Sequence, residues 1–338
     1  MKPLRLLSCL GLALAAALLP SCQNNSGKPK VCFVSNNAHE FWSIVERGGQ
    51  KAADEEGVEL VFRKPAKANA AEQKSIIDTE LAKGVKAISI SVIDPDNQKD
   101  YLNSIAKRVP LLAVDNDADQ TDRRCYLGTD NVKGGHEVGK LIKEAMPDGG
   151  VVALFVGQIE PINARERIQG VLEELGIPAK ETVSADGKYR LHSKDAFTDD
   201  GKRDVAKERA ATVLAQLENE KNVCLVGLWA YNPPEILAAA KAVKREGKVK
   251  IVGFDEEDDT LRGIEDGYVY GTVVQNPYQF GYQSVKMMAK MARNESVDIP
   301  ASKKIDIPVR IVTKDGGEGR LKAADFIKEM DELLGRTK

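Results

Sequence analysis

Short apolar runs alternate with amphipathic segments along the chain from Lys30 onward. Val31–Ser35 and Leu111–Val114 are two of these runs, and each has the length of a buried strand. Phe41–Glu56, which follows the first run, places its apolar residues along one face, as an amphipathic helix does. Nearly continuous apolar strands that alternate with helices are typical of parallel sheets covered on both faces. The pattern therefore predicts an α/β fold.

The strand–helix pattern occurs in two successive blocks, which bears on the number of lobes. A chain of 338 residues is longer than one core usually supports, since single cores stop growing near ~250–300 residues. We therefore predict two doubly wound lobes, each with its own parallel sheet. In the second block we predict a strand at Thr182–Ser184. We also predict that Leu321–Leu334 is a short amphipathic helix that caps a lobe.

The first 22 residues have the organisation of an export signal. Lys2 and Arg5 precede an apolar run from Leu6 to Leu19, which is too short for a spanning helix. The run ends in Leu19-Pro20-Ser21-Cys22, which resembles a bacterial lipobox. We predict that residues 1–21 are a lipoprotein signal peptide and that Cys22 is lipidated. An ordinary signal peptide with an incidental cysteine is the alternative.

The predicted lipid anchor determines where the mature protein is located. Residues 22–29 are polar without periodicity and are interpreted as a flexible tether. Acyl chains on Cys22 would hold the protein on a membrane without spanning it. We therefore expect an exported, periplasmic, membrane-anchored lipoprotein, and Gln23 after the cysteine favours the outer membrane.

Charge and cysteine content argue against a nucleic-acid partner and against a disulfide scaffold. The chain has 49 Lys and Arg against 51 Asp and Glu, so we expect no nucleic-acid partner. Cys32, Cys125 and Cys224 each lie in an apolar run at unrelated spacings. We interpret them as buried core thiols and not as a disulfide framework.

Motifs that carry enzyme chemistry are absent from the sequence. It contains no Gly-x-x-x-x-Gly-Lys-Ser/Thr phosphate loop, no Gly-x-Ser-x-Gly elbow and no dinucleotide fingerprint after the first strand. His39, His136 and His192 are at no metal-ligand spacing. We predict no catalytic residue, metal or cofactor, and we interpret the pairs Asp199-Asp200 and Asp258-Asp259 as solvated surface carboxylates.

Polar residues follow the apolar runs, at the edge where open parallel sheets bind ligands. The residues in question are Ser35 to His39, Asp115-Asn116-Asp117, Gly157-Gln158 with Asn163 and Arg165 shortly after, Trp229 to Asn232, Asp255, and Gln275-Asn276. Carboxylates and amides exchange hydrogen bonds with hydroxyl groups, and an arginine spans two oxygens. The set predicts a neutral, polyhydroxylated ligand.

Phe41 and Trp42 stand side by side at the start of a predicted helix. Neighbouring helical positions face different directions, so the two rings cannot share one core environment. One ring in the core and the other on the surface would be a purely structural explanation. The alternative is that at least one of them stacks on the ligand, since aromatic rings pack on the C–H face of a sugar.

These features together resemble the type I periplasmic sugar-binding proteins of ABC importers, among them the ribose-binding proteins. The residues that carry the resemblance are Ser35, His39-Glu40-Phe41-Trp42, Val114-Asp115, Asn163-Ala164-Arg165-Glu166-Arg167, Asn232, Val252-Gly253-Phe254-Asp255 and Gln275. Their order and rough spacing match over about Lys30–Thr313, which is nearly all of the mature chain.

The resemblance implies two lobes joined by a three-segment hinge, with the sugar between them. The first lobe would comprise residues 30–129 plus 277–304 and the second 130–275 plus 305–320, followed by a C-terminal helix at 321–338. The crossings would lie near 129–131, 275–277 and 303–307. The ligand-binding residues would be Ser35, His39, Phe41, Trp42, Asp115 and Asn116 in the first lobe, Arg165, Asn232 and Asp255 in the second, and Gln275 in the hinge.

Three departures from the ribose-binding proteins leave the identity of the sugar open. Those proteins have Asn-Pro-Phe-Phe at the position of His39–Trp42 and Asp-Arg at the position of Asp115-Asn116. This chain also has extra residues between Gly176 and Val205, a region that supplies another aromatic contact in the family. The implied ligand class is a monosaccharide or polyol.

The resemblance and the missing motifs imply a binding protein that is not an enzyme. We predict a monomeric solute-binding lipoprotein that delivers its sugar to an ABC permease in the inner membrane. One alternative is a sensor or chemoreceptor ligand carrier of the same fold. An enzyme acting on a sugar derivative is a further alternative, which the missing motifs disfavour.

Overall fold

The computed structural model describes residues 27–336, so the predicted signal peptide and Cys22 lie outside the described residues. The strands are β1 (Lys30–Val34), β2 (Glu59–Arg63), β3 (Ile88–Ile90), β4 (Leu111–Val114), β5 (Cys125–Gly128), β6 (Gly150–Val156), β7 (Tyr189–Leu191), β8 (Phe197–Thr198), β9 (Val223–Gly227), β10 (Lys250–Phe254), β11 (Gly271–Val274), β12 (Lys304–Asp306), β13 (Arg310–Thr313) and β14 (Arg320–Lys322). The helices are α1 (Phe41–Glu56), α2 (Ala70–Ala82), α3 (Pro95–Ala106), α4 (Asn131–Ala145), α5 (Ile162–Leu175), α6 (Arg203–Gln216), α7 (Asn232–Ala242), α8 (Asp258–Asp266), α9 (Pro277–Ala292) and α10 (Ala323–Leu334).

The strands form two separate sheets, and each sheet is the centre of one lobe. The first sheet has the order β12-β5-β4-β3-β1-β2, with every pair parallel. The second has the order β14-β13-β11-β10-β9-β6-β7, with β8 also on β6 and with β13 antiparallel to β11. The prediction of two doubly wound α/β lobes is confirmed.

Both faces of each sheet are buried, which explains the uninterrupted apolar runs in the sequence. Val31 and Phe33 of β1 pack with α1 and α9 on one face, while Cys32 and Val34 pack on the other with α2 and α3. In the second lobe, Val223 and Leu225 of β9 pack in the cluster with α6 and α7, whereas Cys224 and Val226 pack with α4 and α5. This two-residue alternation follows from strand geometry.

The chain passes between the lobes three times, at 129–130, 275–276 and 307–309. The third passage comes later than the predicted 303–307, because β12 is an edge strand of the first sheet. Lys304, Ile305 and Asp306 pair with Tyr126, Leu127 and Gly128 of β5. The predicted boundary between residues 304 and 305 therefore falls inside a strand of the first lobe.

The segment between Gly176 and Val205 folds differently from the prediction. Thr182–Ser184 is not a strand, and in that stretch only Val183 makes an isolated bridge, with Arg190. The chain reverses at Asp186-Gly187, where Gly187 has a φ of 74°, and the returning arm becomes β7. Only this arm reaches β6, so the strand lies at Tyr189–Leu191.

The C-terminal helix α10 contacts both lobes, whereas the sequence predicted a cap on one lobe. Phe326 and Met330 pack in the second lobe's core cluster together with Ile44 of α1, which belongs to the first lobe. Arg47 of α1 donates a hydrogen bond of 2.7 Å to the Leu334 carbonyl. Arg336, just beyond the helix, donates to Glu40 of the first lobe and Asp258 of the second at 2.6 and 2.8 Å.

The three cysteines among the described residues are free and buried, as predicted. Burial raises the pKa of both Cys32 and Cys224 to about 12, so these thiols stay protonated. Within residues 27–336, no helix has the length and apolar character needed to span a membrane. The same residues hold no cluster of acidic, histidine or cysteine side chains arranged to bind a metal.

Candidate ligand-binding site

The carboxyl ends of the strands in both sheets face a cavity of about 680 Å³ between the lobes. This volume is in the range of small-molecule binding sites. The cavity is lined by Asn36, Asn37, His39, Phe41, Trp42, Asp115 and Asn116 from the first lobe, by Gln158, Asn163, Arg167, Asp200, Trp229, Tyr231 and Asp255 from the second, and by Gln275 at a crossing, among others. The strand ends identified in the sequence therefore meet in one place.

Asp115 and Asp255 occupy equivalent positions in the two lobes. Each follows a central strand, β4 or β10, and each has a φ of 67° in the left-handed region. The Asp115 N–H donates to the Leu127 carbonyl at 3.1 Å, and the Asp255 N–H donates to the Val273 carbonyl at 2.8 Å. Aspartate tolerates this backbone conformation better than most residues. The two lobes thus contribute one carboxylate each.

The two carboxylates share one guanidinium group. Burial raises the pKa of Asp115 to about 6, and the nearby charge of Asp255 adds to this effect, whereas Arg167 and a 2.9 Å hydrogen bond from Ser91 oppose it. Burial also raises the pKa of Asp255, against Arg167 and a 2.8 Å hydrogen bond from Gln275. Arg167 Nη1 lies 3.8 Å from Asp255 Oδ2. The site therefore combines two buried acids of raised pKa with the positive charge of Arg167, which opposes the rise at both.

Arg167 lines the cavity, whereas Arg165, the arginine predicted from the sequence as a ligand-binding residue, does not. Arg167 is fully buried, packs 3.7 Å from the centre of the Phe254 ring and donates to the Leu228 carbonyl at 2.7 Å. Arg165 is exposed and donates to the Ile159 carbonyl at 3.1 Å. Both arginines lie on α5, where positions two residues apart face different directions.

Ser35 and Asn232 support the site without lining it, contrary to the prediction. The Ser35 hydroxyl donates to the Asn37 carbonyl at 2.6 Å and so braces the loop after β1. Asn232 accepts a 3.0 Å hydrogen bond from the Trp229 N–H and donates one of 2.9 Å to Asp199. Both residues are fully buried, so their polar atoms are used within the protein.

Four side chains that line the cavity have a buried polar atom without a partner among residues 27–336: Asn116 Oδ1, Asn163 Oδ1, Gln275 Oε1 and Trp229 Nε1. The amide orientation of Asn116 is set by its donation to the Val92 carbonyl, and that of Gln275 by its donation to Asp255. An unpaired buried polar atom costs about 1–3 kcal/mol, so a ligand that supplies hydrogen bonds is favoured.

The two adjacent aromatic residues have different environments. Trp42 is buried, lies 5.9 Å from Phe33 in the core and donates through its Nε1 to Asn36 Oδ1 and Asn37 Oδ1 at 3.1 Å. Phe41 is half-buried and lies edge-on to Trp42 at 5.1 Å. Both rings contribute to the cavity wall, but Phe41 has more of its surface free to meet a ligand.

His39 connects the lobes at one side of the cavity. Its Nδ1 accepts from the Phe41 N–H at 3.2 Å, so Nε2 carries the hydrogen that is donated to Glu257 at 3.0 Å. Glu257, at the start of α8, also accepts two hydrogen bonds of 2.9 Å from Arg203. Burial would raise the pKa of Glu257, but these hydrogen bonds outweigh it and the pKa is lowered. An ionised Glu257 thus joins the two lobes.

The segment between Gly176 and Val205 contributes to the cavity in a way that the sequence did not predict. Asp199, interpreted from the sequence as a surface carboxylate, is buried and accepts hydrogen bonds from Tyr231 and Asn232. Burial raises its pKa, and the Tyr231 hydroxyl opposes the rise. Asp200 lines the cavity. The segment has no apolar periodicity, so only the polar strand end at Trp229–Asn232 pointed to this wall.

Two doubly wound lobes around a polar cavity define the chain as a two-lobed solute-binding protein. A sequence profile described as a periplasmic binding protein domain matches residues 31–296. The chain belongs to this family, which consists of exported binding proteins and not of enzymes. The resemblance to the type I periplasmic sugar-binding proteins is thereby confirmed.

Individual relatives and solved structures agree with this assignment. The chain is 26% identical over 313 residues to the ribose import binding protein of Haemophilus influenzae, which covers 91% of this chain and 99% of the relative. It is similar to the glucose-galactose binding protein of Geobacillus stearothermophilus, with a TM-score of 0.74, 25% identity and coverage of 85% and 98%. A solute-binding protein from Burkholderia graminis, solved with D-arabinose, has the same fold, with a TM-score of 0.77, 24% identity and coverage of 86% and 97%.

Proposed function

We propose that this protein captures a monosaccharide or polyol between its two lobes and delivers it to an ABC-type importer. The observation that carries the proposal is the convergence of polar groups from both lobes on one cavity. Asp115 and Asn116 come from the first lobe, Arg167 and Asp255 from the second, and Gln275 from a crossing. A ligand that hydrogen-bonds to all of them must lie between the lobes.

A sugar supplies hydrogen-bond partners for the polar groups that line this cavity. Each hydroxyl group can donate to a carboxylate or amide oxygen and accept from the guanidinium group, so a polyhydroxylated ring satisfies several atoms at once. Hydrogen bonds to Asp115, Asp255 and Arg167 involve charged groups and are stronger than neutral ones. The free surface of Phe41 provides an apolar wall for the C–H face of a ring.

The ligand-binding set that we propose differs from the one expected from the sequence. His39, Phe41, Trp42, Asp115, Asn116, Asp255 and Gln275 remain in it, Arg167 replaces Arg165, and Ser35 and Asn232 become supporting residues. The relatives are named for ribose and for glucose and galactose, and one was solved with D-arabinose, which supports the sugar class without selecting one sugar.

We propose further that the sugar closes the two lobes and that the importer recognises the closed form. Because neither lobe holds all of the polar groups, a sugar binds the closed arrangement better than an open one, and only such a difference shifts the population. The hinge is proposed at the three crossings, and the protein is proposed to act as a monomer.

The lipid anchor is proposed from the sequence alone. The basic residues at Lys2 and Arg5, the short apolar run and the Leu19–Cys22 tetrapeptide support lipidation of Cys22 after export. The polar tether of residues 22–29 would then leave the lobes free to move from the membrane surface to the permease.

Calorimetric titration with a panel of sugars tests the proposed function. The panel contains D-ribose, D-arabinose, D-allose, D-glucose, D-galactose, D-fructose and the polyols ribitol and sorbitol. We expect saturable binding of at least one compound and recovery of that compound unchanged after incubation. The absence of binding across the panel, or conversion of the sugar into a product, would contradict the proposal.

A further inference from the structure

Trp229 has an unpaired hydrogen-bond donor at the cavity. The residue follows β9 and lines the cavity, and its Nε1–H is buried with no partner in the part of the chain that the structure describes. The other indole of the chain differs in this respect, because Trp42 Nε1 donates to Asn36 and Asn37. A buried N–H without an acceptor is costly, and it persists where function needs it or where a ligand provides the acceptor.

The position of the Trp229 ring is fixed by its surroundings. A Cβ atom at Gly157 would lie 2.2 Å from Cε3 and Cζ3 of the ring, so the absence of a side chain there makes room for the indole. Tyr231 lies edge-on to the ring at 6.3 Å, and the Tyr231 hydroxyl is held by buried Asp199. The Trp229 N–H of the backbone donates to Asn232, which is also bonded to Asp199.

Asp199 thus connects this aromatic wall to the segment between Gly176 and Val205, in which the chain has its extra residues. Tyr231 and Asn232 both donate to its carboxylate, so the segment holds the two residues that orient the indole. No aromatic residue of the segment itself lines the cavity; Phe197 stacks on Phe155 at 5.2 Å instead. The aromatic surface of the second lobe is therefore provided by Trp229 and Tyr231.

The unpaired atoms at the cavity differ in what they demand of a ligand. Asn116 Oδ1 and Gln275 Oε1 are acceptors, which any hydroxyl group satisfies. Among the described residues that line the cavity, Trp229 supplies the one buried and unpaired donor. An indole N–H cannot accept, so it requires an oxygen of the ligand at a defined place.

We propose that Trp229 is a specificity-determining residue of the sugar site, which donates its indole N–H to one oxygen of the bound sugar. This inference rests on the proposed function and adds a requirement to it. A site built to hydrogen-bond a substrate group discriminates strongly against the analogue that lacks the group, because its own buried polar atom is then left unpaired. Sugars that place no oxygen at this position bind weakly.

The replacement Trp229→Phe tests the inference, since it removes the N–H and keeps an aromatic ring. Wild type and variant are titrated calorimetrically with the sugar panel. They are then titrated with analogues of the tightest-binding sugar that each lack one oxygen, either because a hydroxyl group is replaced by hydrogen or because the ring oxygen is replaced by carbon. We expect Trp229→Phe to bind that sugar about tenfold more weakly. The analogue that lacks the contacted oxygen should bind poorly to wild type, and Trp229→Phe should not weaken its binding further. Every other analogue should lose the same factor of affinity, relative to the parent sugar, in both proteins.

Two further variants separate ligand recognition from folding. Tyr189→Phe is the matched control, because it removes a buried aromatic donor whose 2.9 Å hydrogen bond to the Met146 carbonyl lies outside the cavity. We expect it to lower the melting temperature and leave sugar affinity unchanged. Gly157→Ala should displace the indole, and so weaken sugar binding and shift tryptophan emission without ligand.

The outcomes distinguish this inference from the proposed function. Sugar binding by wild type with equal affinity in Trp229→Phe would overturn the role of Trp229 and leave the proposed function standing. The same would follow if every analogue lost affinity equally in both proteins. A wild-type protein that binds no sugar of the panel would overturn both.

Discussion

Asp115→Asn should stabilise the ligand-free protein at neutral pH while weakening sugar binding. Burial raises the pKa of the Asp115 carboxyl to about 6, compared with ~3.9 for an aspartate in an unfolded chain. Each pH unit of this difference corresponds to ~1.4 kcal/mol, so the ionised carboxylate destabilises the fold by about 3 kcal/mol above pH 6. The carboxamide never ionises and avoids this cost.

The stability that Asp115→Asn gains over wild type should increase with pH. Below pH 4 the carboxyl is protonated in both states and the variant gains little. Between about pH 4 and 6 the folded protein retains a proton that the unfolded chain releases, so wild-type stability falls as the pH rises. Asn can accept the hydrogen bond from Ser91, and it tolerates the left-handed φ of 67° at this position.

Urea unfolding followed by circular dichroism at pH 4 and pH 8 measures the difference in stability between variant and wild type. We expect Asp115→Asn to gain about 2–3 kcal/mol at pH 8 relative to its difference near pH 4. Asp130→Asn is the matched control, because hydrogen bonds from Lys133 outweigh burial and lower the pKa of Asp130. Asp130→Asn should therefore lose a little stability relative to wild type as the pH rises from 4 to 8, whereas Asp115→Asn gains.

A pH-independent difference for Asp115→Asn, or a loss of stability at pH 8, would refute the reasoning. Such a result would mean that the carboxylate is compensated within the ligand-free protein. Sugar affinity in the same variant should fall by about tenfold, since a charged hydrogen-bond partner is replaced by a neutral one.

Three other substitutions test the arrangement of the site and its surroundings. Arg167→Ala should weaken sugar binding at least about tenfold in calorimetry, whereas Arg165→Ala should leave it unchanged. The opposite result would mean that Arg165, and not Arg167, contacts the sugar. Arg336→Ala removes ion pairs that join Glu40 of the first lobe and Asp258 of the second, so the closed arrangement should become less favourable. Sugar affinity in calorimetry should then fall about two- to thirtyfold, because exposed pairs contribute ~0.2–1 kcal/mol each, and an unchanged affinity would contradict this role. Cys22→Ser should move the protein from the membrane fraction to the soluble fraction or leave it unprocessed, and unchanged membrane association would exclude lipidation at this residue.

The two-lobed fold and the location of the site could be predicted from the sequence because both depend on local patterns. Strands buried on two faces are apolar throughout, as in Val31–Val34, and parallel strands end at the same edge of their sheet. Polar residues that follow strands of one sheet, such as Asp115 after β4 and Asn36 and Asn37 after β1, therefore had to lie near one another.

The remaining features depend on partners far apart in the chain. Whether Arg165 or Arg167 faces the cavity depends on which side of α5 is turned toward it. The sequence around the two arginines has too few apolar residues to predict that side. The burial of Asp199 depends on Tyr231 and Asn232, which lie more than 30 residues later. The contact of α10 with the first lobe depends on Arg336 meeting Glu40 across almost the whole chain.

A crystal structure with the tightest-binding sugar tests the central claim most directly, namely that both lobes hold one sugar between them. We predict a single sugar in the cavity, within hydrogen-bond distance of Asp115 from the first lobe and of Arg167 and Asp255 from the second. A sugar bound outside the cavity, or one that contacts residues of a single lobe only, would contradict the account.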